Sequence, residues 1–575
     1  MSWFSDLYNT FENNFENIGK YEKNKYGKTV VLAPVGHITK NVDLEVEISQ
    51  EGKFLRCTEL PENQRATVIP ATVDAVSRSS GVSAYPLHDQ IKYLARDSGQ
   101  KPEFFESYLS LLSEWSEFAD GISILKIIRK YLKEGSLFQD IQKTVEKITE
   151  KTFVRIYVEG LDRPWEDKLL FQNWLLFYQT KLQDRAIDYI SGKELPIQEK
   201  HMKIKGNPKL ISANQTELAY TGRFSETRDA VTISFEASQK AHNTLDWLLS
   251  KQAKTVGSRY FLVWNSGKTT GLISPEDNPY GISYQPDNGM SKMICLDELS
   301  KNSEKYTENQ GRVTVLVLDA ATSGRMAVVY YQNMELSRYL QNLQAWQKRC
   351  WWLQIDFDSE KKPHNYHGAP ALWKIARGCL LGGDSQDELL KNIRTHLYPA
   401  IVEGKLIPED ISRSIFLRTC QRMSFTSRND FEEQLRVACA VLYEKYSRHK
   451  IRERKAETML DKTETDRSYL CGRLLGVADI IEERARKYNV PNGTNAERLM
   501  TTFSIKPRTS WMTIYEALEP YRRIQRKNHY SDGQGQIDEI MGLFAKLDDF
   551  DDRALDGRFL LGYSAQRIEM NNHKK

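Results

Sequence analysis

Apolar positions recur with two different periods along the chain. Before about residue 350, many segments alternate apolar and polar residues or form short apolar runs, which is typical of strands. The predicted strands are residues 29–34, 42–48, 152–158, 260–264, 312–318 and 326–331. Helical spacing in the same part predicts helices at 3–15, 102–150 and 165–190. Residues 1–350 are therefore expected to form a mixed α/β region.

From about residue 365, apolar residues follow helical spacing only. The predicted helices are residues 373–381, 387–397, 408–420, 431–459, 467–488 and 513–526. The predicted fold class is α+β, in which the mixed α/β N-terminal region is followed by an all-helical C-terminal bundle over 365–575. Residues 67–85 and 271–310 are rich in polar residues, Gly and Pro, and are expected to be loops.

The composition is that of a globular protein. Hydrophobic residues make up 40% and charged residues 27% of the chain, which excludes a fibrous or mostly disordered chain. No apolar run approaches the roughly 18 residues that cross a bilayer, and the first residues lack the layout of a secretory signal. The seven cysteines show no regular spacing and favour a reducing compartment. The chain is expected to be cytoplasmic, with no membrane partner.

Basic residues concentrate in the C-terminal part of the chain. Residues 411–575 hold 30 Lys and Arg against 24 Asp and Glu, and residues 521–530 hold four cations and no acid. Basic stripes with neighbouring aromatic residues suit a polyanion, because each phosphate contact releases a condensed counterion. A solvated helix face is the alternative interpretation.

Two features resemble parts of catalytic sites but lack the context that catalysis needs. Asn265-Ser-Gly-Lys-Thr-Thr270 resembles the end of a phosphate-binding loop, but Leu262 stands where that loop needs a glycine. His88-Asp89 resembles the core of a metal phosphohydrolase site, but no further His or Asp ligands follow at a recognisable spacing. We therefore predict no metal, no cofactor and no catalytic residue.

Five stretches in order along nearly the whole chain carry a more specific signal. They are Arg78-Ser-Ser-Gly81 with Leu87, Asp89, Tyr93 and Leu94; His201-Met-Lys-Ile-Lys-Gly206; Gly222-Arg-Phe-Ser-Glu226 with 233–243 and 247–249; Ser468-Tyr-Leu-Cys-Gly-Arg-Leu474; and Gly557-Arg-Phe-Leu-Leu-Gly-Tyr563 with Gln566-Arg567. Together they resemble the motifs of the CRISPR-associated large subunit of subtype I-C Cascade. Met202 departs from the family's usual proline, and Gln90 stands where the family often has Asn.

The resemblance implies a non-catalytic subunit of an RNA-guided surveillance complex. Members of this family recognise the protospacer-adjacent motif on target double-stranded DNA, promote duplex opening and R-loop stabilisation, and help recruit a helicase-nuclease. The other implied partners are the CRISPR RNA-containing Cascade backbone subunits, the displaced single strand and a small subunit. Since guide pairing reads most of the sequence, the protein has to read only a few base pairs.

Two alternatives to this function stay open. One is a nucleic-acid-acting enzyme of a defence system, either a metal nuclease or an NTPase, working through His88-Asp89 or Lys268. The other is a scaffold that binds only protein. Dependence of an activity on metal or ATP would separate the first alternative from a binding subunit, and absence of DNA binding in the assembled complex would favour the second.

The candidate site residues fall into two groups. The predicted contacts to the motif-bearing duplex are Arg78, Ser79, Ser80, Gly81, Lys203, Lys205 and Lys268. The predicted contacts to the backbone of the displaced or target strand are Arg413, Arg418, Arg422, Arg508, Arg522, Arg523, Arg526 and Lys527. Arg78–Gly81 equally suits a capping turn before a helix at 87–97, with Asp89 in its first turn. Lys203 and Lys205 are two residues apart on a predicted extended segment, so their ammonium groups would lie on the same face. That face could contact a phosphate or could equally be a solvated strand face.

The resemblance also implies an internal translation start. The family's helical C-terminal part is often made as a separate small subunit, and the last part of this chain, from about 459, resembles one. Met459 is the candidate start and would give a product of 117 residues, while Met423 is a longer alternative. Both methionines are equally compatible with core positions on helices.

Overall fold

The structure, a computed structural model, describes most of the 575-residue chain. It excludes residues 1, 25, 79–80, 213–230, 267–271, 278–310, 358–361, 381–386, 448–458, 489, 491–492 and 573–575. Ser79, Ser80, Lys268 and the 222–226 motif therefore lie outside the described residues. The chain forms two compact units: a first unit of residues 1–272 and 311–334, and a second unit of residues 273–310 and 335–575.

The first unit is built around two four-stranded sheets with the strand orders β5-β4-β8-β7 and β11-β12-β13-β14. Three pairs of strands, β1-β2, β3-β6 and β9-β10, lie outside these sheets. The strands are β1 Tyr21–Lys23, β2 Thr29–Val31, β3 His37–Asn41, β4 Leu44–Ile48, β5 Phe54–Glu59, β6 Ala66–Pro70, β7 Asp89–Gln90, β8 Phe153–Val158, β9 Arg185–Ile187, β10 Glu194–Pro196, β11 Lys254–Val256, β12 Arg259–Asn265, β13 Arg312–Asp319 and β14 Ala327–Glu335.

The helices of the first unit cover these sheets. They are α1 Trp3–Asn13, α2 Val73–Ser77, α3 Ile91–Leu94, α4 Pro102–Phe118, α5 Ser123–Glu134, α6 Leu137–Gln142, α7 Lys168–Gln179 and α8 Phe235–Lys251. Side-chain caps define several of their starts. For example, Asp167 accepts hydrogen bonds from the backbone N–H groups of Leu169 and Leu170, at 2.8 and 3.1 Å.

Two hydrophobic cores stabilise the first unit. In one, alternate residues of β4 and β8, such as Val46 and Ile156, pack against helices α4, α5 and α7. Trp115 and Trp174 meet edge to face in this core, with ring centroids 5.0 Å apart. The other core joins α1 and α8 to β12 and β13. The half-buried strand predicted from the strict alternation at 42–48 is confirmed as β4, in which every second residue is buried.

The expectation of a loop over 67–85 is wrong for its first half. Thr67, Val68 and Ile69 belong to β6, which is buried and pairs with β3 in antiparallel register. Thr72 caps α2, because its hydroxyl oxygen accepts from the backbone N–H of Ala75 at 3.1 Å. Thr72 and its polar neighbours that suggested a loop therefore begin a helix.

The second unit is helical apart from a hairpin among its described residues. The hairpin pairs β15 Trp352–Phe357 with β16 Pro363–Gly368 in antiparallel register. The helices are α9 Leu336–Arg349, α10 Leu372–Gly378, α11 Asp387–Val402, α12 Glu409–Cys420, α13 Arg428–Ser447, α14 Arg467–Ala485, α15 Asn495–Ile505, α16 Pro507–Lys527, α17 Gln534–Leu547 and α18 Arg558–Asn572. The α+β class is thus confirmed. None of the helices in the described ranges combines the length and apolarity that crossing a bilayer requires.

The sequence did not predict the hairpin, because its buried face is partly polar. Trp352, Gln354 and Asp356 alternate toward the interior. The Gln354 side-chain amide donates to the backbone carbonyl of Arg436 at 3.1 Å, and Asp356 lies 3.7 Å from the Lys374 ammonium. Because these buried positions are polar, the segment does not show the alternation of apolar and polar residues that predicts a strand.

Helices α15, α17 and α18 were also missed. Helix α18 is buried on almost every side, so it lacks an amphipathic stripe.

Helices α14 and α18 approach closely enough for their backbones to touch. A Cβ atom on Gly472 of α14 would overlap the carbonyl oxygen of Phe559, and a Cβ atom on Gly562 of α18 would overlap the carbonyl oxygen of Tyr469. A Cβ atom on Gly476 would lie 2.9 Å from the carbonyl oxygen of Tyr563. Glycine is needed at these positions because any side chain would force the helices apart.

We expect Gly472→Ala to destabilise the protein by about 1–3 kcal/mol, because the added methyl group overpacks the contact. The gain of about 1 kcal/mol in helix propensity works in the opposite direction. Gly542→Ala is the matched control, since Gly542 lies on α17, is exposed and has no heavy atom within 4 Å of the new methyl position. It should leave the stability unchanged or raise it. Urea unfolding measures both variants, and equal stabilities would contradict the close approach of the two helices.

Candidate nucleic-acid interface

Arg78 and Asp89 form a buried ion pair in the first unit. Arg78 is the C-terminal cap residue of α2, and Asp89 begins β7. The guanidinium Nη1 donates to Oδ2 of Asp89 at 2.8 Å and Nη2 donates to Oδ1 at 2.6 Å. The carboxylate is fully buried and also accepts from the backbone N–H groups of Tyr85 and Gln90, both at 2.7 Å. Bidentate geometry with two further donors holds the carboxylate firmly in place.

The same guanidinium also contacts Ser83, Tyr85 and Tyr93. It lies over the rings of Tyr85 and Tyr93, at 4.3 and 4.6 Å from their centroids. Its Nη1 also donates to the carbonyl oxygen of Ser83 at 2.8 Å. Gly81, in contrast, is exposed, has a φ of +92° and has no heavy atom near its Cβ position. Arg78 therefore anchors the loop at Ser83 and Tyr85, and Gly81 is exposed.

The capping turn considered for Arg78–Gly81 is wrong in its details. Arg78 ends α2, and the next helix, α3, starts only at Ile91. Its cap residue Gln90 makes no side-chain capping hydrogen bond. Asp89 lies on a strand and holds Arg78, so it is not a first-turn helix residue. Contact between Arg78 or Gly81 and DNA stays a prediction.

A cleft of about 400 Å³ in the first unit is lined by lysines, and we call it the lysine cleft. Its basic residues are Lys28, Lys40, Lys203 and Lys205, and Asp246 is the one carboxylate among its lining residues. The predicted residues Lys203 and Lys205 therefore share one cleft. The Lys203 ammonium donates to the backbone carbonyl of Arg78 at 2.9 Å, which links the cleft to the anchored loop.

Two of the four lysines are not neutralised by a carboxylate within the described residues. Lys205 lies 2.8 Å from Asp246, and Lys28 pairs with Glu62. Lys40 has no hydrogen-bond or ion-pair partner among the residues that the structure describes, and its ammonium lies 5.5 Å from the Tyr85 ring centroid. Lys203 has only the carbonyl oxygen of Arg78 within this part of the chain. An excess of positive charge therefore faces the cleft.

Burial shifts the pKa values of two of these lysines, Lys40 and Lys203. Burial lowers the pKa of Lys40 and the nearby Arg78 guanidinium lowers it further, whereas the carboxylates of Asp246 and Asp89 act in the opposite direction. Burial likewise lowers the pKa of Lys203, with the Lys209 ammonium and Arg78 adding to the effect. Like charges that are partly removed from water raise each other's energy. An anion in the cleft would relieve this repulsion.

The predicted strand-binding cations of the second unit occupy different environments. Arg413, Arg508 and Lys527 are exposed and have no ion-pair partner among the described residues. Arg418 lies 4.0 Å from the centroid of the Phe425 ring. Arg523, also exposed, lies 3.2 Å from Glu519.

The remaining three are bound to carboxylates. Arg422 is buried and lies 3.2 Å from Glu497. Arg522 is buried beside Asp532, at 3.3 Å, and Arg526 contacts Glu519 at 2.7 Å. Arg422 and Arg522, which are buried as well as paired, are less available to a phosphate than the exposed Arg523 and Arg526.

His88 lies in the core of the first unit. It is fully buried, and its Nδ1 accepts from the backbone N–H of Ile156 at 3.2 Å. Burial lowers the pKa of His88 to about 3, so the ring is neutral at neutral pH. Among the described residues, no group of three or more His, Cys, Asp or Glu side chains is placed to hold a metal ion.

Sequence reasoning missed two parts of this region. Lys40 is a single cation on β3, and nothing in its local pattern distinguishes it from a solvated residue. The partnership of Arg78 with Asp89 was also missed, although both residues belong to the same motif. Opposite charges within one short motif could have suggested an ion pair.

The family model described as CRISPR-associated protein (Cas_Csd1) matches residues 8–571 of the chain. The match therefore includes both units, the Arg78–Asp89 pair and the lysine cleft. No curated protein matches the chain.

We expect Asp89→Asn to lower the free energy of unfolding by about 3–5 kcal/mol, because it leaves the Arg78 guanidinium largely buried without its counterion. Asp74→Asn is the matched control, since Asp74 pairs with Lys200 at 2.6 Å on the surface. Breaking an exposed pair should cost less than about 1 kcal/mol. Urea unfolding compares the two variants. If both are destabilised equally, the buried pair does not stabilise this region.

Proposed function

The chain belongs to the Cas_Csd1 family of CRISPR-associated proteins, and on that premise we propose that it is the non-catalytic large subunit of a subtype I-C Cascade complex. In this role it recognises the protospacer-adjacent motif on double-stranded target DNA. It then promotes duplex opening and stabilises the R-loop. The uncompensated positive charge of the lysine cleft is the observation that supports this proposal most directly.

The lysine cleft suits the phosphate backbone of a duplex. Lys40 and Lys203 form no ion pair with a carboxylate among the described residues. Phosphate contacts would relieve their repulsion and release condensed counterions from the DNA. Backbone contacts of this kind fix the register of a protein on the duplex. In our proposal, Lys205 supports the cleft through its ion pair with Asp246, and Lys268 is a further contact.

The anchored loop at 78–85 is proposed to read the groove edge. Both terminal nitrogens of Arg78 are engaged with Asp89 and the Ser83 carbonyl, so we assign Arg78 a positioning role. Gly81 lacks a side chain and is exposed, so its backbone can approach a base edge closely. Ser79 and Ser80 precede it in the chain and would supply hydroxyl groups.

We expect Lys40→Gln with Lys203→Gln to weaken the binding of motif-bearing duplex by the assembled complex. The slope of log K against log salt should become shallower by about 0.9 for each phosphate that the protein no longer binds. Titrations of a labelled duplex at several salt concentrations measure both quantities.

Lys126→Gln serves as the control for this experiment. Lys126 is half-exposed on α5 and pairs with Asp120 at 2.7 Å, outside the cleft. Its removal should change neither the affinity nor the slope. An unchanged slope for the double variant would rule out phosphate binding in the lysine cleft.

The exposed cations of the second unit are proposed to hold the displaced or target strand through its backbone. Arg413, Arg508 and Arg523 are exposed in the described structure. Single-stranded DNA binds such surfaces mainly through charge, with little dependence on sequence. We propose the same for Lys527, with the ion-paired Arg522 and Arg526 adding long-range attraction.

We expect the triple variant Arg413→Gln, Arg508→Gln and Arg523→Gln to weaken R-loop formation and to flatten its salt dependence. Each phosphate that is no longer bound should reduce the slope by about 0.7, as for single strands. Replacing three exposed residues should leave thermal unfolding unchanged. An unaltered R-loop yield across a series of salt concentrations would contradict the proposed strand path.

Other parts of the proposal follow from family membership. We propose that the chain assembles with CRISPR RNA-containing backbone subunits in the cytoplasm and helps recruit a helicase-nuclease. We also propose that it has no catalytic activity of its own, since the buried His88 and the ion-paired Asp89 are suited to structural roles. ATP hydrolysis or metal-dependent DNA cleavage by the purified chain would favour the enzyme alternative.

A small subunit made from an internal start would contain different helices for the two candidate methionines. A product from Met423 retains α13, whose Glu432 lies 2.6 Å from Arg567 on α18. A product from Met459 lacks α13 and leaves the buried Arg567 without Glu432. We propose that the shorter product is made and that a neighbouring subunit covers this face. The mass of the small co-purifying protein identifies the start that is used.

A further inference from the structure

A cavity of about 1140 Å³ lies within the helices of the second unit, and we call it the C-terminal cavity. Every residue that lines it falls between Leu460 and Met570, on α14, α16, α17, α18 and the segments before and between them. Small-molecule sites typically measure roughly 300–1,000 Å³. The cavity is therefore large enough for a nucleotide.

Positive charge predominates on the cavity wall. The cations are Lys462, Arg473, Arg484, Lys487 and Lys527, and the carboxylates are Glu539 and Glu569. Lys487 and Lys527 have no ion-pair partner among the described residues. The wall therefore favours an anionic ligand.

One cation in this wall has an unused hydrogen-bond donor. Arg473 is fully buried; its Nε donates to Gln566 at 3.0 Å and its Nη2 to Glu539 at 2.8 Å. Its Nη1 is buried and has no hydrogen-bond partner in the described structure. Buried N–H donors in folded proteins are almost always satisfied. Arg473 is one of the residues that line the cavity, so the residue with the unused donor borders the space that a ligand would occupy.

Two tyrosines add a surface for stacking. Tyr488 and Tyr530 line the cavity and are 46% and 68% exposed, which is unusual for such large rings. Exposed aromatic rings beside cations are the arrangement that binds unpaired bases, because every base has a face that can stack.

Three residues that line the cavity have a strained backbone conformation. Lys487, Tyr488 and His529 have φ values of +50°, +63° and +59°. This left-handed region is uncommon for residues other than glycine and costs of order 1 kcal/mol or more at each position. All three line the cavity. Glycine would adopt this conformation without strain, but these three positions carry side chains.

We propose that the C-terminal cavity binds one unpaired nucleotide of single-stranded DNA. The base stacks against Tyr488 and Tyr530, and the phosphate accepts from Nη1 of Arg473 and contacts Lys487 and Lys527. This inference rests on the proposed function, because R-loop formation supplies an unpaired strand. It adds to that function a site that holds a base as well as the backbone.

The test uses the full-length chain and a fluorescein-labelled oligodeoxythymidine at several salt concentrations. We expect Tyr530→Ala to weaken binding about ten-fold, since stacking of one base contributes roughly 1–3 kcal/mol. The same variant should bind an abasic strand of equal length as well as the unmodified chain does. Lys527→Gln should instead weaken the binding of both strands and reduce the salt slope by about 0.7.

Tyr189→Ala is the matched control, because Tyr189 is 64% exposed in the first unit and lies outside the cavity. It should leave the binding of both strands unchanged. Both tyrosine variants change an exposed ring, so thermal unfolding should be unaffected in each.

Three outcomes would overturn the inference: unchanged affinity of Tyr530→Ala, equal weakening on intact and abasic strands, or a preference for oligouridine over oligodeoxythymidine. If Tyr530→Ala binds the strand normally while the assembled complex still opens a motif-bearing duplex, the cavity proposal fails and the proposed function stands. If the unmodified assembled complex does not distinguish motif-bearing duplex, the proposed function itself fails.

Discussion

A charge that folding removes from water has to be paired, and this constraint determines the roles of the basic residues in the protein. Desolvating an ion costs several kcal/mol unless an opposite charge and hydrogen bonds compensate for it. Arg78 with Asp89 meets this condition in the first unit, and Arg567 with Asp479 meets it in the second. An arginine used in this way fixes the local backbone and has few donors left for another ligand.

The cations that form no ion pair with a carboxylate lie on the surfaces that can bind nucleic acid. In the first unit, Lys40 and Lys203 lie in a cleft next to the loop that Arg78 anchors. An exposed backbone position beside lysines without ion pairs can combine weak base reading with strong backbone attraction. This combination is what a guide-directed complex requires, because its protein must recognise only a short duplex segment.

The second unit depends on the close contact between α14 and α18. Gly472 and Gly562 allow the two backbones to touch. Arg473 follows Gly472 directly, so the contact also fixes the position of the guanidinium that lines the C-terminal cavity. Gln566 on α18 accepts a hydrogen bond from Arg473 and lines the same cavity. One motif therefore provides both the helix packing and a wall of the cavity.

Local periodicity and motifs in order were enough to predict the fold class, six of the fourteen described strands of the first unit and the family. It missed the hairpin at 352–368, whose buried face includes Gln354 and Asp356. The sequence did not show which cations are available, and the folded chain does. Arg422 and Arg522 are buried against carboxylates, whereas Arg413 and Arg508 are exposed, although all four look alike in the sequence. The reason is physical: the availability of a charge depends on burial and on partners distant in the chain, which local patterns do not encode.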